Sequence, residues 1–277
     1  QRQMCIRDRL MLLEEGRFRL DTPAAELLPK FSELEAYAGM DEKTGEMKTE
    51  ACKRPVTIHQ LLTHTAGLTY EMHAEHHPVA KLYKQSSAER APLSLEGMVN
   101  HLLNFFPLAY QPGTRWHYSV STDVCARLVE IISGQPIDCF LQQRIFDPLG
   151  MKDTGYHLPV QELSRLAELY SIADWFDPNL TPEILERASQ EGGQLQLLNS
   201  FEPEIYKAPH NCLRGGHVLA STALDYLKFA RMLLQYGKWE GERLLSHKTI
   251  ELMRINHLSA ELFPLEICNN PLKGEGW

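Results

Sequence analysis

Residues 111–134 read QPGTRWHYSVSTDVCARLVEIISG, and the fold turns on how this stretch is parsed. Gln111-Pro112-Gly113 is turn chemistry, because proline presets φ and glycine reaches conformations closed to other residues. From Ser121 onward Val124, Leu128, Ile131 and Ile132 recur at helical spacing. Ser121 is the expected N-cap and Gly134 the expected stop. That parsing puts Tyr118 at the N-terminal edge of a helix.

The same logic extends in both directions. Thr57-Ile58-His59-Gln60 is a capping box ahead of Leu61 and Leu62, with Gly67 as the stop. Ser94 caps a helix whose Leu95, Met98, Val99, Leu102 and Leu103 share a face. A further helix over about 137–146 is expected to end before Pro148. Thr222-Ala223-Leu224-Asp225 opens a capped helix closing at Gly237, and Ser246 caps a last short one. Between them, 238–244 reads as a tight two-strand turn. Residues 159–209, with a Gln-rich middle at 189–198, read as an irregular excursion. No internal repeat appears, helix dominates, and strand patterns are scarce.

Composition narrows the function. The 277 residues carry 28 Lys and Arg against 36 Asp and Glu, a formal charge of -8. No basic run exceeds Lys53-Arg54, which argues against nucleic acid and anionic membrane surfaces as partners. The richest apolar stretch, Leu102 to Tyr110, is broken by Asn104 and Pro107 and is too short to span a bilayer. With 43% hydrophobic residues the chain can build a core of one large domain or two joined ones. Cysteines 5, 52, 125, 139, 212 and 268 form no C-x-x-C, so they read as thiols in a reducing compartment, with the cytoplasm slightly favoured.

Three more stretches matter: PVTIHQLLTHTAGL at 55–68, RIFDPLGMKDTG at 144–155 and GGHVLASTALDYLKFARMLLQYG at 215–237. In this order and at these distances, together with 111–134, the chain resembles the serine beta-lactamase-related family. That family holds class C beta-lactamases, D-alanyl-D-alanine carboxypeptidases and esterases of the same fold. LMLLEEGRFRLDTPAAELLPKF at 10–31 resembles the stretch after the family's nucleophile helix. The resemblance implies an α+β protein of beta-lactamase/transpeptidase-like fold and a partial domain over 10–277. Residues 1–9, QRQMCIRDR, read as a segment foreign to it.

The family uses a serine and lysine in S-x-x-K, a tyrosine in Y-x-N or Y-S-x, and a late K-T-G or H-x-G strand. A serine hydroxyl is a poor nucleophile until a base takes its proton. A phenol titrates at ~10 when free, so a tyrosine base needs cationic charge beside it. Tyr118 in W-H-Y-S-V-S-T-D matches the tyrosine and is the catalytic candidate. Val120 stands where lactamases and peptidases carry an asparagine that hydrogen-bonds a substrate amide, which valine cannot do. The resemblance therefore implies an esterase acting through an acyl-serine on a small-molecule ester or, second, a beta-lactam-like substrate.

No S-x-x-K occurs in these residues. Family spacing puts the lysine near Arg2 and the serine before the start, so the chain is expected to be an internal piece without its nucleophile. Mainly the helical part of the fold would remain, with an incomplete central sheet and uncovered apolar faces on helices 121–133 and 222–236. Lys43-Thr44-Gly45 spells K-T-G but precedes the tyrosine, and reads as a charged surface turn. A rival reading is a non-catalytic relative that binds cell-wall fragments or a protein.

The remaining constellations read as structure. His73-Ala74-Glu75-His76-His77 is not H-E-x-x-H and is expected to be a solvated loop rather than a metal site. His64 reads as helix-end packing and Cys125 as a buried helix face. Gly215-Gly216 is expected to let backbone approach closely near the site, since no P-loop lysine follows. No metal and no cofactor is assigned.

Overall fold

The computed structural model describes residues 10–86, 94–168, 170–171, 195–197, 213–216, 219–267 and 270–271. Residues 1–9 and most of the Gln-rich segment lie outside them. The chain divides into two compact units, residues 1–154 with 211–277, and residues 155–210. The first holds the helices α1 (Ile58–Leu62), α2 (Pro78–Ser86), α3 (Leu95–Phe105), α4 (Ser121–Ser133), α5 (Ile137–Leu141), α6 (Asp147–Leu149), α7 (Ala223–Leu234) and α8 (His247–Arg254).

Helix α4 is the centre of this unit, and α1, α3 and α5 all pack on it. Its Val124, Leu128, Val129 and Ile132 are buried. Each such side chain contributes ~1.5–3 kcal/mol. The apolar face of α4 is therefore covered, contrary to expectation, because neighbouring helices of the same unit supply the contacts. Helix α7 differs, leaving Leu224, Leu227 and Leu234 exposed.

The expected caps form where a hydroxyl reaches the third residue onward. Thr57 and Gln60 make the reciprocal capping box, and Ser94, Thr222 and Ser246 each accept from a backbone N–H of the first turn. Gly134 closes α4 at φ 70°. Two expectations fail. Ser121 is the first helical residue rather than the cap, and Val120 takes the cap without a side-chain bond. The Ser121 hydroxyl is engaged 2.8 Å away by Ser119 Oγ. Nor does helix end before Pro148: α5 passes through a π-type turn at Gln142–Phe146 into α6, where Pro148 sits in the first turn.

Strands are short and local. β1 (Glu35–Met40) and β2 (Met47–Ala51) form an antiparallel hairpin with few buried side chains, so no apolar alternation announced it. Its exposed turn carries Lys43-Thr44-Gly45, held by Asp41, whose Oδ1 accepts from Lys43 N at 2.8 Å and Thr44 N at 3.0 Å. In the second unit β3 (Tyr170–Ser171) pairs with β4 (Gln196–Leu197) after a 3-10 turn at Val160–Arg165. The first unit adds the ribbons β5 (Lys238–Trp239) with β6 (Glu242–Arg243), and β7 (Glu266–Ile267) with β8 (Asn270–Pro271). Among the described residues every sheet is two-stranded and no complete central sheet is present.

The segment after α1 is laced to the segment before α4. Ala109 N donates to Gly67 O at 2.7 Å, Gly113 N to Thr65 O at 2.7 Å, His117 N to His64 O at 2.8 Å and Val120 N to Thr69 O at 3.2 Å. Gly67 has φ 86°, and a Cβ there would lie 2.1 Å from Tyr110 O. Only glycine permits the approach.

Beside this seam the His73–His77 segment is not a solvated loop, because His73 and His77 are buried. His73 Nε2 donates to Tyr118 O at 3.0 Å, and His77 Nδ1 accepts from Val79 N at 3.2 Å. The His73 and His117 rings lie 4.1 Å apart, and His117 Nε2 contacts Thr69 Oγ1 at 2.9 Å. Burial pushes His73 and His77 down to about 4. Burial, with His73 and His77 nearby, pushes His117 down to about 2.

These geometries set two outcomes. Gly67→Ala is expected to lower unfolding free energy by ~2 kcal/mol or more, read as an earlier denaturant midpoint at constant slope. An unchanged midpoint contradicts the close approach at Tyr110. The histidines bind protons at ~6.5 when unfolded but only near 4 or below when folded, so the unfolded state takes up more protons below pH ~6.5. Their contribution is present above that pH and is lost as pH falls toward 4, with His117 extending the loss below it. Stability should therefore drop across this window, more shallowly in His77→Gln. A flat stability profile from neutrality to pH ~4 contradicts the buried neutral cluster.

Candidate active site

Tyr118 is half-buried, and the backbone seam fixes where it stands. Its ring packs against the buried cluster of Trp116, Leu258 and Leu265, where Leu262 and Ile267 also pack. On another side lie His64, ring centroids 5.0 Å away, and Tyr70 at 5.2 Å. Both neighbours come from the sequence THTAGLTY that follows α1. The N-terminus of α4, with its positive partial charge, begins three residues later.

His64 is buried at the end of α1 with φ 54°. Its Nδ1 accepts from Ser119 N at 3.2 Å and lies 3.2 Å from Ser119 Oγ. A nitrogen that accepts a backbone N–H carries no proton of its own, so this imidazole is neutral with its hydrogen on Nε2. The pair could suggest a serine activated by histidine. Ser119 is only 1% exposed, however, and its hydroxyl is also within 2.8 Å of Ser121 Oγ. No substrate carbonyl reaches it, and the unit acts to hold the backbone beside Tyr118.

Asp123, one turn into α4, is fully buried. Its carboxylate accepts from Arg214 Nη2 at 2.8 Å, Gly216 N at 3.0 Å and Tyr70 Oη at 3.3 Å. A buried ion pair is tolerable when further hydrogen bonds satisfy the carboxylate, and losing one partner costs ~3–5 kcal/mol. The network draws residues 213–216 onto the start of α4. A Cβ on Gly215 would lie 2.3 Å from Thr122 O, and one on Gly216 3.0 Å from Tyr70 Oη. Backbone approach at Gly215-Gly216 is thus real, and what it approaches is the first turn of α4.

Sequence reasoning singled out Tyr118 and the glycine pair as candidates and did not name Tyr70, Asp123 or Arg214, which the structure brings together beside them. The available signals were the tyrosine ending THTAGLTY, the aspartate in YSVSTD and the arginine just before Gly215. Cys125 is buried on α4 and makes no part of the site. Val120 is buried too, at the cap of α4. Among the described residues no three His, Cys, Asp or Glu side chains converge as metal ligands.

Known proteins resemble this chain in sequence and fold. The chain is 28% identical over 256 residues to lovastatin esterase of Penicillium rubens, covering 91% of this chain and 57% of that protein. It is 31% identical over 254 residues to monacolin J acid methylbutanoyltransferase of Aspergillus terreus, covering 88% of this chain and 52% of that protein. Among solved structures, unliganded simvastatin synthase of Aspergillus terreus superposes with a TM-score of 0.71 at 25% identity, over 94% of this chain and 57% of that one. The chain spans about half the length of the curated relatives it matches. The architecture is the α+β beta-lactamase/transpeptidase-like fold. The Beta-lactamase family profile matches residues 10–272, which include Tyr118, Asp123 and Gly215, and the chain belongs to that family.

Proposed function

We propose that this chain is the tyrosine-bearing part of a serine hydrolase that cleaves or transfers small-molecule acyl esters, with Tyr118 as proton shuttle. The observation that carries this reading is the seat of Tyr118, half-buried between an apolar cluster and the rings of His64 and Tyr70, just ahead of α4. In the proposed reaction Tyr118 takes the serine proton as the serine oxygen attacks the ester carbonyl. The proton then passes to the departing alcohol, and water or a second alcohol releases the acyl group from serine. The positive end of α4 favours negative charge on the phenolic side of that exchange.

Two observations support an ester over a beta-lactam or peptide. Val120 is an apolar, buried cap with no group to bind a substrate amide. The relatives above are named as an esterase and a methylbutanoyltransferase. Ser-x-x-Lys does not occur among the 277 residues, so the activity is proposed for a protein in which that pair is present. The second reading is a non-catalytic relative that binds its ligand without cleaving it.

The chain as given is expected to resist covalent labelling by a serine-directed fluorophosphonate, and stoichiometric labelling would reveal a different nucleophile. In a longer protein carrying Ser-x-x-Lys, the same probe should label the serine, and no labelling there favours the non-catalytic reading. In that protein Tyr118→Phe should lower kcat on a short-chain p-nitrophenyl ester by ~10²–10⁴. A variant within twofold of the parent makes Tyr118 a packing residue only. Ester turnover should exceed nitrocefin turnover, and the reverse order would overturn the inference from Val120.

A further inference from the structure

Away from Tyr118, two histidines far apart in sequence meet at the rim of an apolar cleft. His59 on α1 and His257 just after α8 bring Nε2 and Nδ1 to 3.4 Å, with ring centroids 5.4 Å apart and planes inclined by 61°. The cleft beside them opens to solvent and is walled by Leu20, Leu62, Leu252 and Met253. Neither ring takes part in the site described above.

The hydrogen-bond pattern fixes the tautomer of one ring. His257 Nε2 lies 2.7 Å from Leu252 O, a carbonyl that can only accept, so Nε2 carries the proton. Its Nδ1 therefore presents a lone pair toward His59. A backbone carbonyl holding the far nitrogen is the usual support behind a metal-ligating imidazole.

The distance fits two ways of pairing the rings. At 3.4 Å the pair can form an N–H···N hydrogen bond, longer than the usual ~2.7–3.2 Å of an N–H···O bond. A tetrahedral ion ~2.05 Å from each nitrogen would set them ~3.3–3.4 Å apart. With an ion on each ring axis, ~3.2 Å from each centroid, centroids 5.4 Å apart subtend ~115°, and nitrogens 3.4 Å apart subtend ~112°. Both separations are compatible with one shared apex.

We propose that His59 and His257 form a two-imidazole site for a late first-row divalent ion, Cu²⁺ or Zn²⁺, that ties α1 to α8. No third His, Cys, Asp or Glu joins them among the described residues, so the remaining positions face the cleft for water or an exogenous donor. Imidazole nitrogens suit both ions, and the affinity order places Cu²⁺ above Zn²⁺. The inference does not depend on the hydrolase reading, since neither histidine touches Tyr118 in it.

Titration of the purified chain with Cu²⁺ at neutral pH tests it. The bound ion should show electron paramagnetic resonance splitting from two imidazole nitrogens. His59→Gln or His257→Gln should weaken its binding by at least about tenfold. His247→Gln, which removes the exposed His247–Glu251 pair on α8, should leave the site unchanged. Binding that survives both cleft substitutions, or that falls with His247→Gln alone, overturns the proposal. If circular dichroism shows that a cleft variant has unfolded, the unsubstituted chain still decides, because a spectrum without a two-nitrogen pattern also overturns it.

Discussion

The approach of Gly67 to the carbonyl of Tyr110 is the constraint on which the rest of the site depends. It exists because residue 67 has no Cβ and takes φ 86°, a conformation that side chains resist. Once the two backbones touch there, the bonds from Ala109, Gly113, His117 and Val120 follow in register. Tyr118 lies inside that register, so its ring has little freedom to move independently of α1 and α4. A side chain whose backbone is paired on both sides needs less order of its own to hold its place.

Polar groups then lock the seam at three depths. His64 accepts from Ser119 N, immediately after the tyrosine, and His73 donates to the carbonyl of Tyr118 itself. Deeper, Asp123 gathers Arg214, Gly216 and Tyr70. Each of these groups is buried and partnered, as the low dielectric of the interior demands. Neutral imidazoles suit this task better than charged ones, because an uncharged ring can accept from one backbone group or donate to another without a counter-ion. Among the described residues the site is held by hydrogen bonding and not by a large sheet.

Much of the helical frame was legible because it rests on local chemistry. Thr57 with Gln60, and Ser94, Thr222, Ser246 and Gly134, act within one turn of themselves, so reading their neighbours suffices. The hairpin at 35–51 was not legible, since its side chains are largely exposed and carry no alternation. Ser121 and Pro148 were misread for related reasons. A hydroxyl partner at Ser119 displaced the first, and a π-type turn shifted the helical register ahead of the second.

The sequence by itself determined the family and most of the helix caps, since these depend on residue type and spacing along the chain, and it nominated Tyr118 as the candidate. Only the tertiary structure decided which groups surround that tyrosine. His64 meets Ser119, and Tyr70 and Arg214 meet Asp123, across separations of 55, 53 and 91 residues. Contacts of that range leave no periodic trace, because burial and hydrogen bonding select partners in space rather than along the chain. The same reason explains the histidines at 73–77. Their polarity predicted a wet loop, whereas packing against the seam buried His73 and His77 and left His76 exposed.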